Sequence, residues 1–391
     1  MTATPQTVRA GIVTTGTRPA RRHTEDAQLS TPFLELDVAT ARSSYDALQT
    51  VLPSTAIHYA VKANPHPRLL AALAERGSNF DVASPAEVRA TLAAGASPDD
   101  LIHSNPVARR EHLAQCAALG VRLFVVDSLS EAAKVAQAAP GAAVVCRVLT
   151  TGVGSDWPLS RKYGVSVVEA VGILNAATQL GLDPAGVSFH VGSQQRDPEA
   201  WRRPIAAAAR VFRALRAGGH RPWLLDLGGG FPAQHEGTTP PLSAYGAVIE
   251  DQLRRSFGPD PRDRPRTLVE PGRAIAGDAG SLVSTVSAVI ERAGTRWVYL
   301  DAGVFTGLVE TLDEAIRYRL ETSVDGGPTG PCVLAGPTCD SADVLYQHTP
   351  VHLPMALAEG DIVRFGSAGA YTSCYSTVGF NGFEPLRTVV A

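Results

Sequence analysis

The stretch LFVVDSLSEAAKVAQAAPGAAVVCRVL, residues 123–149, contains the pattern that decides the fold. It begins with an apolar run of strand type, continues through an Ala-rich segment of helical type, and ends in a second β-branched run. A helix between two such runs is typical of parallel strands whose connection crosses one face of a sheet. The stretch therefore predicts one β–α–β unit.

The same alternation extends in both directions along the chain. Eight strand-like runs are separated by helical segments that begin at Ser or Pro and end at Gly. The runs are IHYAVK, FDVAS, LIHS, LFVVD, AVVCRVL, VSFHVG, WLLDLG and TLVEPG. An eightfold alternation of about this length predicts an α/β fold, namely a (β/α)₈ TIM-like barrel.

The two ends of the chain have different patterns. Residues 1–30 are polar, rich in Thr and Arg, and free of hydrophobic periodicity, which predicts a flexible N-terminal tail. We assign the barrel to residues 31–275. Residues 276–391 contain strand-like runs without regular helices between them, which predicts a mainly β C-terminal domain. The run FLELD at 33–37 precedes the first barrel helix and could pair with that later sheet.

The composition excludes several classes of protein. The 391 residues carry a net charge of −3 without a long block of one sign, which argues against a nucleic-acid or polybasic membrane partner. No apolar run approaches the ~20 residues of a membrane span, and the N-terminus lacks the apolar core of a signal peptide. The expected location is the cytoplasm. The five cysteines form no CxxC pair, so neither a metal site nor a disulfide framework is expected.

Polar residues end nearly every predicted strand. In a barrel of this kind the chemistry lies at the carboxyl ends of the strands. The residues at these ends are Lys62, Asp81, Ser104, Asp127, Arg147, His190, Gly228 and Glu270. Asp and Ser also cap helices, and we interpret Asp127 as a helix cap.

Lysine is rare in this chain, which makes its position informative. Of the 35 basic residues only Lys62, Lys134 and Lys162 are lysines. A desolvated amine, unlike a guanidinium, can lose its proton and attack a carbonyl carbon. Lys62 is therefore the candidate nucleophile, although a strand-end lysine could instead simply extend toward solvent.

Two glycine-containing motifs suggest an anion site. DLGGGFP (226–232) places three glycines after a strand, which lets backbone N–H groups approach an anion, although glycine runs also form ordinary turns. FHVGSQ (189–194) adds His190, whose ring could stack on a cofactor or be structural. It also adds Ser193, whose hydroxyl suits a phosphate oxygen.

A third motif, EPGRA (270–274), combines opposite charges. Arg273 could bind a phosphate while Glu270 meets a ring nitrogen, and a local ion pair is the alternative. Together with a Schiff-base lysine and a phosphate cradle, this carboxylate predicts a pyridoxal 5′-phosphate (PLP) site.

From about residue 31 to the C-terminus the sequence resembles the fold-type III PLP-dependent decarboxylases, to which alanine racemase is distantly related. The motifs that carry the resemblance are YAVKAN, FDVAS, FHVGSQQ, LGGGFP, EPGRA, GPTCDSADVLY, GAYT and STVGFNGFEPL. GPTCDSAD and ETLDEAIRY are most similar to the bacterial ornithine/lysine decarboxylase branch.

The resemblance implies roles for the barrel residues. Lys62 would bind PLP covalently, Glu270 would keep the pyridine nitrogen protonated, Asp81 would lie near the lysine, and His190 would stack on the ring. Arg147 and Glu87 match positions that line the cofactor. The residues expected at the phosphate are Ser193, Gly229, Gly230, Arg273 and Tyr371.

The resemblance also implies a homodimer with shared active sites. Cys339 and Asp340 are expected to enter the site from the partner subunit. Cys339 would protonate the substrate α-carbon after CO₂ leaves, although it could instead be a buried packing cysteine.

The substrate side of the site is less specific. Asp340, helped by Asp313 or Glu314, could pair with a distal ammonium group, and the latter two acids could equally be a helix cap or surface charges. Tyr371 and Phe380 are also expected at the substrate.

This pattern predicts decarboxylation of L-ornithine or L-lysine to putrescine or cadaverine. Alternatives are the same reaction on arginine, a D-amino acid or a carrier-bound aminoacyl group, or a non-catalytic regulatory homologue. Val304, Thr306 and the segment IHSNPV depart from the family pattern near the expected substrate end.

Overall fold

The fold was analysed in a computed structural model that describes residues 29–159 and 162–391. The predicted tail therefore lies, up to residue 28, outside the described residues. In the described part of the chain, no helix has the length and apolar character needed to span a membrane.

Nineteen strands occur in the described ranges. In chain order they are β1 (Phe33–Leu36), β2 (Thr55–Ala60), β3 (Asn79–Val82), β4 (Leu101–His103), β5 (Leu123–Val126), β6 (Ala143–Arg147), β7 (Ser155–Trp157), β8 (Asp183–Ser188), β9 (Ser193–Gln195), β10 (Leu224–Asp226), β11 (Arg266–Val269), β12 (Gly280–Arg292), β13 (Thr295–Leu300), β14 (Arg319–Thr322), β15 (Thr329–Ala335), β16 (Val344–Leu345), β17 (Val351–Pro354), β18 (Ile362–Gly366) and β19 (Arg387–Val390).

The α-helices of the described residues begin at recognisable signals. They are α1 (Val38–Val51), α2 (Pro67–Ala74), α3 (Pro85–Ala93), α4 (Arg110–Ala118), α5 (Leu129–Ala138), α6 (Val167–Gln179), α7 (Arg202–Ala217), α8 (Leu242–Phe257) and α9 (Arg273–Ala276). Ser84, Ser128 and Ser166 each accept a hydrogen bond from the backbone N–H three residues later, which satisfies a donor that the helix leaves unpaired. Proline occupies the first position of α2 and α3, where its missing N–H costs nothing.

Eight parallel strands close into a barrel in the order β10-β11-β2-β3-β4-β5-β6-β8. Each overlaps one of the eight predicted strand runs, so the predicted barrel is confirmed. Six apolar side chains fill a separate small core, one from each of β4, β5, β6, β8, β10 and β11: Ile102, Val125, Val145, Ala185, Leu224 and Leu268. Along β5, Val125 alternates with Phe124 and Val126, which belong to the larger core cluster. The barrel is therefore packed inside, and the carboxyl ends of its strands remain for chemistry.

A nine-stranded, mostly antiparallel sheet has its own core. Its strand β1 precedes the barrel in sequence, pairs antiparallel with β12 and pairs parallel with β19. The sheet is thus built from both ends of the described chain. Strands β12 and β18 pair antiparallel, and the segment that follows β18 returns to the barrel, where Tyr371 N–H donates to the Ala63 carbonyl over 2.8 Å.

One local prediction is wrong. Helix α5 is capped by Ser128, whose hydroxyl accepts from Glu131 N–H over 3.2 Å. Asp127 instead accepts a hydrogen bond from Gly164 N–H over 3.1 Å. Its carboxylate therefore secures the segment that follows β7 rather than the start of a helix.

Candidate active site

A cavity of about 420 Å³ lies where the carboxyl ends of the barrel strands meet. Parallel strands bring residues that are far apart in sequence to one rim, and the loop after β18 adds Tyr371. The predicted site residues that line the cavity are Lys62, Arg147, His190, Ser193, Gly230, Glu270, Arg273 and Tyr371.

Lys62 lies in the 3₁₀ turn Val61–Ala63 that directly follows β2. Its ammonium group contacts a carboxylate oxygen of Asp81, which ends β3 and is buried. Desolvation is the largest single effect on Lys62 and lowers its pKa. The charges of Asp81, Tyr371 and Glu270, together with the hydrogen bond to Asp81, outweigh it and raise the pKa above the ordinary value. The lysine thus stays protonated in this arrangement, and Asp81 orients it. Desolvation alone does not supply the free amine, contrary to the simplest interpretation of the sequence.

Glu270 directly follows β11, and its carboxylate contacts the hydroxyl of Ser104. Burial, followed by the negative charge of Asp81, raises the pKa of Glu270 to about 7. The pKa of the neighbouring Asp226 is also raised, first by burial and then by the charge of Glu270. Of these two desolvated carboxyl groups only Glu270 lines the cavity, and a cationic group beside it would stabilise its charged form.

Arg273 also lines the cavity and is 3% exposed. Its Nη2 donates to Glu310 Oε1 over 2.6 Å and to Ser193 Oγ over 3.1 Å, and its guanidinium lies 4.8 Å from the centre of the Tyr371 ring. Its Nη1 has no hydrogen-bond partner among the described residues. A buried, unused guanidinium donor beside the Ser193 hydroxyl is suited to an anion.

Two glycines of the DLGGGFP motif belong to the same predicted anion site. A Cβ at Gly229 would lie 2.7 Å from the Glu270 carbonyl oxygen, and one at Gly230 would lie 2.5 Å from the Gly192 carbonyl oxygen. Gly230 also has a φ of +110°. Any side chain would thus collide with backbone, so both positions require glycine, which allows the backbone to approach a ligand closely. Gly229 itself is not among the residues that line the cavity.

His190 lines the cavity with a neutral ring. Its Nδ1 accepts a hydrogen bond from Gly192 N–H over 3.0 Å, which requires that nitrogen to be unprotonated. Burial, followed by the charges of Arg147 and Lys62, lowers the pKa of His190 well below its ordinary value. A flat, uncharged ring in this position is compatible with stacking, which stays a prediction.

These side chains fit PLP. Arg273 Nη1, the Ser193 hydroxyl and the glycine loop would hold its phosphate, and Glu270 would meet its ring nitrogen. Lys62 is close enough to Asp81 to be oriented toward the same cavity. Glu87 does not line the cavity. Its carboxylate accepts a hydrogen bond from the backbone N–H of Ala83, and Ala83 does line the cavity.

Five other predicted residues do not line this cavity within one subunit. They are Cys339, Asp340, Asp313, Glu314 and Phe380. Cys339 is exposed, which contradicts the packing alternative. Glu314 accepts from the backbone N–H groups of His348 and Thr349 over 2.6 and 3.1 Å, a geometry that favours its local structural role.

Sequence reasoning missed Glu310. It lines the cavity, is 3% exposed, pairs with Arg273, and its Oε2 has no partner among the described residues. The sequence offered only a weak signal, since Glu310, Asp313 and Glu314 all lie in the same motif, ETLDEAIRY. Only the fold shows which of the three carboxylates faces inward.

Two departures from the family pattern have structural explanations. Val304 N–H donates to buried Asp343 over 2.7 Å, and Thr306 Oγ1 accepts from Gly303 N–H over 2.5 Å. Both residues are buried in one turn and do not line the cavity. The IHSNPV segment does, through Ser104, Asn105 and Pro106.

The chain is similar in sequence and in fold to known proteins. Residues 38–277 match the family described as the pyridoxal-binding domain of pyridoxal-dependent decarboxylases. The lysine/ornithine decarboxylase of Selenomonas ruminantium is 34% identical over 93% of this chain and 90% of its own. The crystal structure of the Vibrio vulnificus lysine/ornithine decarboxylase complexed with putrescine is 33% identical, with a TM-score of 0.83 over 94% of this chain and 96% of that one. The arginine decarboxylase of Paramecium bursaria Chlorella virus is 29% identical, with a TM-score of 0.84 over 93% and 96%.

The match covers most of the barrel and the whole cradle formed by Ser193, the glycine loop and Arg273. The resemblance predicted from the motifs is confirmed, and so is PLP as the cofactor. The chain belongs to the pyridoxal-dependent decarboxylases and is a PLP-dependent carboxy-lyase.

Proposed function

We propose that this enzyme decarboxylates a basic amino acid, L-ornithine or L-lysine, to putrescine or cadaverine. The observation that carries the proposal is the pairing of Lys62 with Asp81 beside the partly buried Glu270, in a chain similar to lysine/ornithine decarboxylases along its described length. The test is CO₂ release across a panel of amino acids with the amine products identified. Release confined to other amino acids would overturn the substrate assignment.

The barrel residues divide the work by position. When bound, PLP accepts the electron pair that departing CO₂ leaves on the substrate α-carbon. Lys62 would hold the cofactor covalently through its ε-amine. Glu270 would keep a proton on the ring nitrogen, and Asp81 would orient the lysine and accept its proton. Arg273, Ser193 and the glycine loop would hold the phosphate, with Tyr371 beside Arg273.

An arginine substrate is the second candidate, favoured by the similarity to a viral arginine decarboxylase. The two candidates differ in the length and shape of the distal cationic group, which is a compact ammonium in ornithine and lysine and a planar guanidinium in arginine. A substrate panel that includes arginine and the D-enantiomers separates them, because specificity is a ratio of kcat/KM values. A purely regulatory role is disfavoured because Lys62, Glu270 and Arg273 are all present in the cavity.

Removing the phosphate clamp should weaken cofactor binding. In Arg273→Gln we expect the PLP dissociation constant to rise about 10- to 100-fold, since a hydrogen bond to a charged group contributes about 1.5–3 kcal/mol. Equilibrium titration of the apoenzyme with PLP measures this. The control is Arg255→Gln, because Arg255 pairs with Asp251 on the surface. An unchanged constant in Arg273→Gln would place the phosphate elsewhere.

We infer that the site is completed across a homodimer, with Cys339 and Asp340 supplied by the partner subunit. Support comes from the exposure of Cys339 and its position outside the cavity of its own subunit. In this proposal Cys339 delivers a proton to the substrate α-carbon, and Asp340 binds the distal ammonium group.

Mixing two inactive variants tests the shared site. Lys62→Ala and Cys339→Ala subunits, mixed at equal amounts, should regain about a quarter of wild-type activity. Half of the dimers are then mixed, and one of the two sites in each is intact. The readout is CO₂ release before and after subunit exchange. No regain, with mixed dimers verified by differential tagging, would contradict a shared site.

A further inference from the structure

The exposed thiol of Cys339 has a specific partner within its own subunit. Its Sγ lies 3.5 Å from Asn381 Oδ1, and its backbone N–H donates to the same oxygen over 3.2 Å. A backbone N–H can only donate, so the amide atom facing Cys339 is the carbonyl oxygen. The thiol is therefore also a donor, and its proton points at Asn381.

Asn381 adopts an uncommon backbone conformation to make this contact. Its φ is +51°, a left-handed value that asparagine tolerates better than most residues. Gly379 and Gly382 on either side have φ values of +75° and +78°. The turn is thus built from residues that accept positive φ, and it presents the Asn381 side chain to Cys339.

Other contacts hold the two segments in place. Asp343 accepts from Thr338 N–H over 3.0 Å and from Val304 N–H over 2.7 Å, which ties the Cys339 segment to the turn Val304–Thr306. Phe380 packs on Phe305 of that same turn, with ring centres 4.8 Å apart. Both segments are therefore anchored independently of the Cys339–Asn381 contact, whose main effect is on the thiol itself.

We propose that Asn381 is a positioning residue for the Cys339 thiol. Its carbonyl fixes the side-chain rotamer and holds the proton on Sγ until the substrate α-carbon, in the partner's site, takes it. In that step the S–H bond breaks with its electron pair left on sulfur, and the pair on carbon forms the new C–H bond. This inference rests on the proposed role of Cys339 as the proton donor.

The test is the rate at which Cys339 in the holoenzyme is alkylated by iodoacetamide, followed by peptide mapping. Asn381→Gly removes the acceptor while retaining a residue suited to φ +51°, so alkylation should become about three- to tenfold faster. Asn381→Asp keeps an acceptor but adds a negative charge that opposes the thiolate, so alkylation should become about three- to tenfold slower. Cys374, whose thiol pKa is raised to about 11 by burial, is the internal control in the same digest.

Opposite shifts in the two variants support the proposal, because a residue that merely props the loop would change the rate in one direction. Equal rates, or acceleration in both variants, overturn it. The second readout is turnover: Asn381→Gly should lose about tenfold in kcat with KM for the substrate unchanged. Opposite alkylation shifts with unchanged kcat would also overturn the positioning role. Full activity of Cys339→Ala would instead refute the proposed proton donor, a failure that the alkylation result keeps separate.

Discussion

Replacing Lys62 by alanine should lower kcat by at least about 10³-fold, the largest loss expected from any single substitution in this chain. The amine is the only group at the carboxyl end of β2 that can hold the cofactor covalently, and Asp81 orients it. The loss should affect kcat far more than the folded state, because Lys62 lies at the rim of the barrel and not in its apolar core. CO₂ release with saturating PLP measures the effect.

Labelling distinguishes Lys62 from the other lysines. Borohydride reduction of the wild-type holoenzyme should fix PLP on the peptide that contains Lys62, and no label should appear in Lys62→Ala. Lys162 also lines the cavity, and Lys134 pairs with Glu131 outside it, so Lys162→Ala and Lys134→Ala are the matched controls. Both should keep the label on Lys62. A label on Lys162 in the wild-type protein would sink the assignment.

Glu270→Gln should lower kcat by about 10²–10³-fold while PLP stays covalently bound to Lys62. Burial and the nearby Asp81 raise the pKa of Glu270 to about 7, so this carboxylate is destabilised until a cation meets it. A protonated ring nitrogen supplies that cation, and a neutral amide cannot hold the proton there. The electron pair left after CO₂ loss would then be poorly stabilised, which slows the reaction without removing the cofactor.

Steady-state kinetics and borohydride labelling together test this prediction. The control is Glu250→Gln, whose wild-type carboxylate pairs with Arg264 on the surface and should leave kcat unchanged. If Glu270→Gln turned over within a few-fold of wild type, the carboxylate would not act at the ring nitrogen.

The site motifs of the barrel could be predicted from the sequence because each lies at the end of a strand. Strand–helix alternation predicts eight parallel strands, and their carboxyl ends must meet at one rim of the barrel. Lys62, His190 and Glu270 could therefore be placed together from the sequence alone. The LGGG loop also requires glycine for a reason that acts over short distances, since a Cβ there would collide with backbone atoms. These features follow from chain geometry over short distances.

The pKa of Lys62 and the hydrogen-bond partner of Asp127 could not be predicted in the same way. The sequence indicated that desolvation would free the Lys62 amine, but the competing carboxylate of Asp81 raises its pKa instead. Likewise, Asp127 has the sequence position of a helix cap, but Ser128 takes that role. The Lys62 pKa depends on charges brought close by other strands, and the helix cap depends on which side chain points at the free N–H groups. Neither is fixed by sequence position alone.

The sequence by itself determined the barrel and predicted both a candidate Schiff-base lysine and a candidate phosphate motif, because periodicity and strand-end position are properties of contiguous residues. Only the tertiary structure decided that Glu310, not Asp313 or Glu314, faces the cavity beside Arg273, and that Asn381 meets Cys339 across 42 residues. Such contacts are set by the packing of segments distant in sequence, where a single turn of backbone changes which side chain points inward.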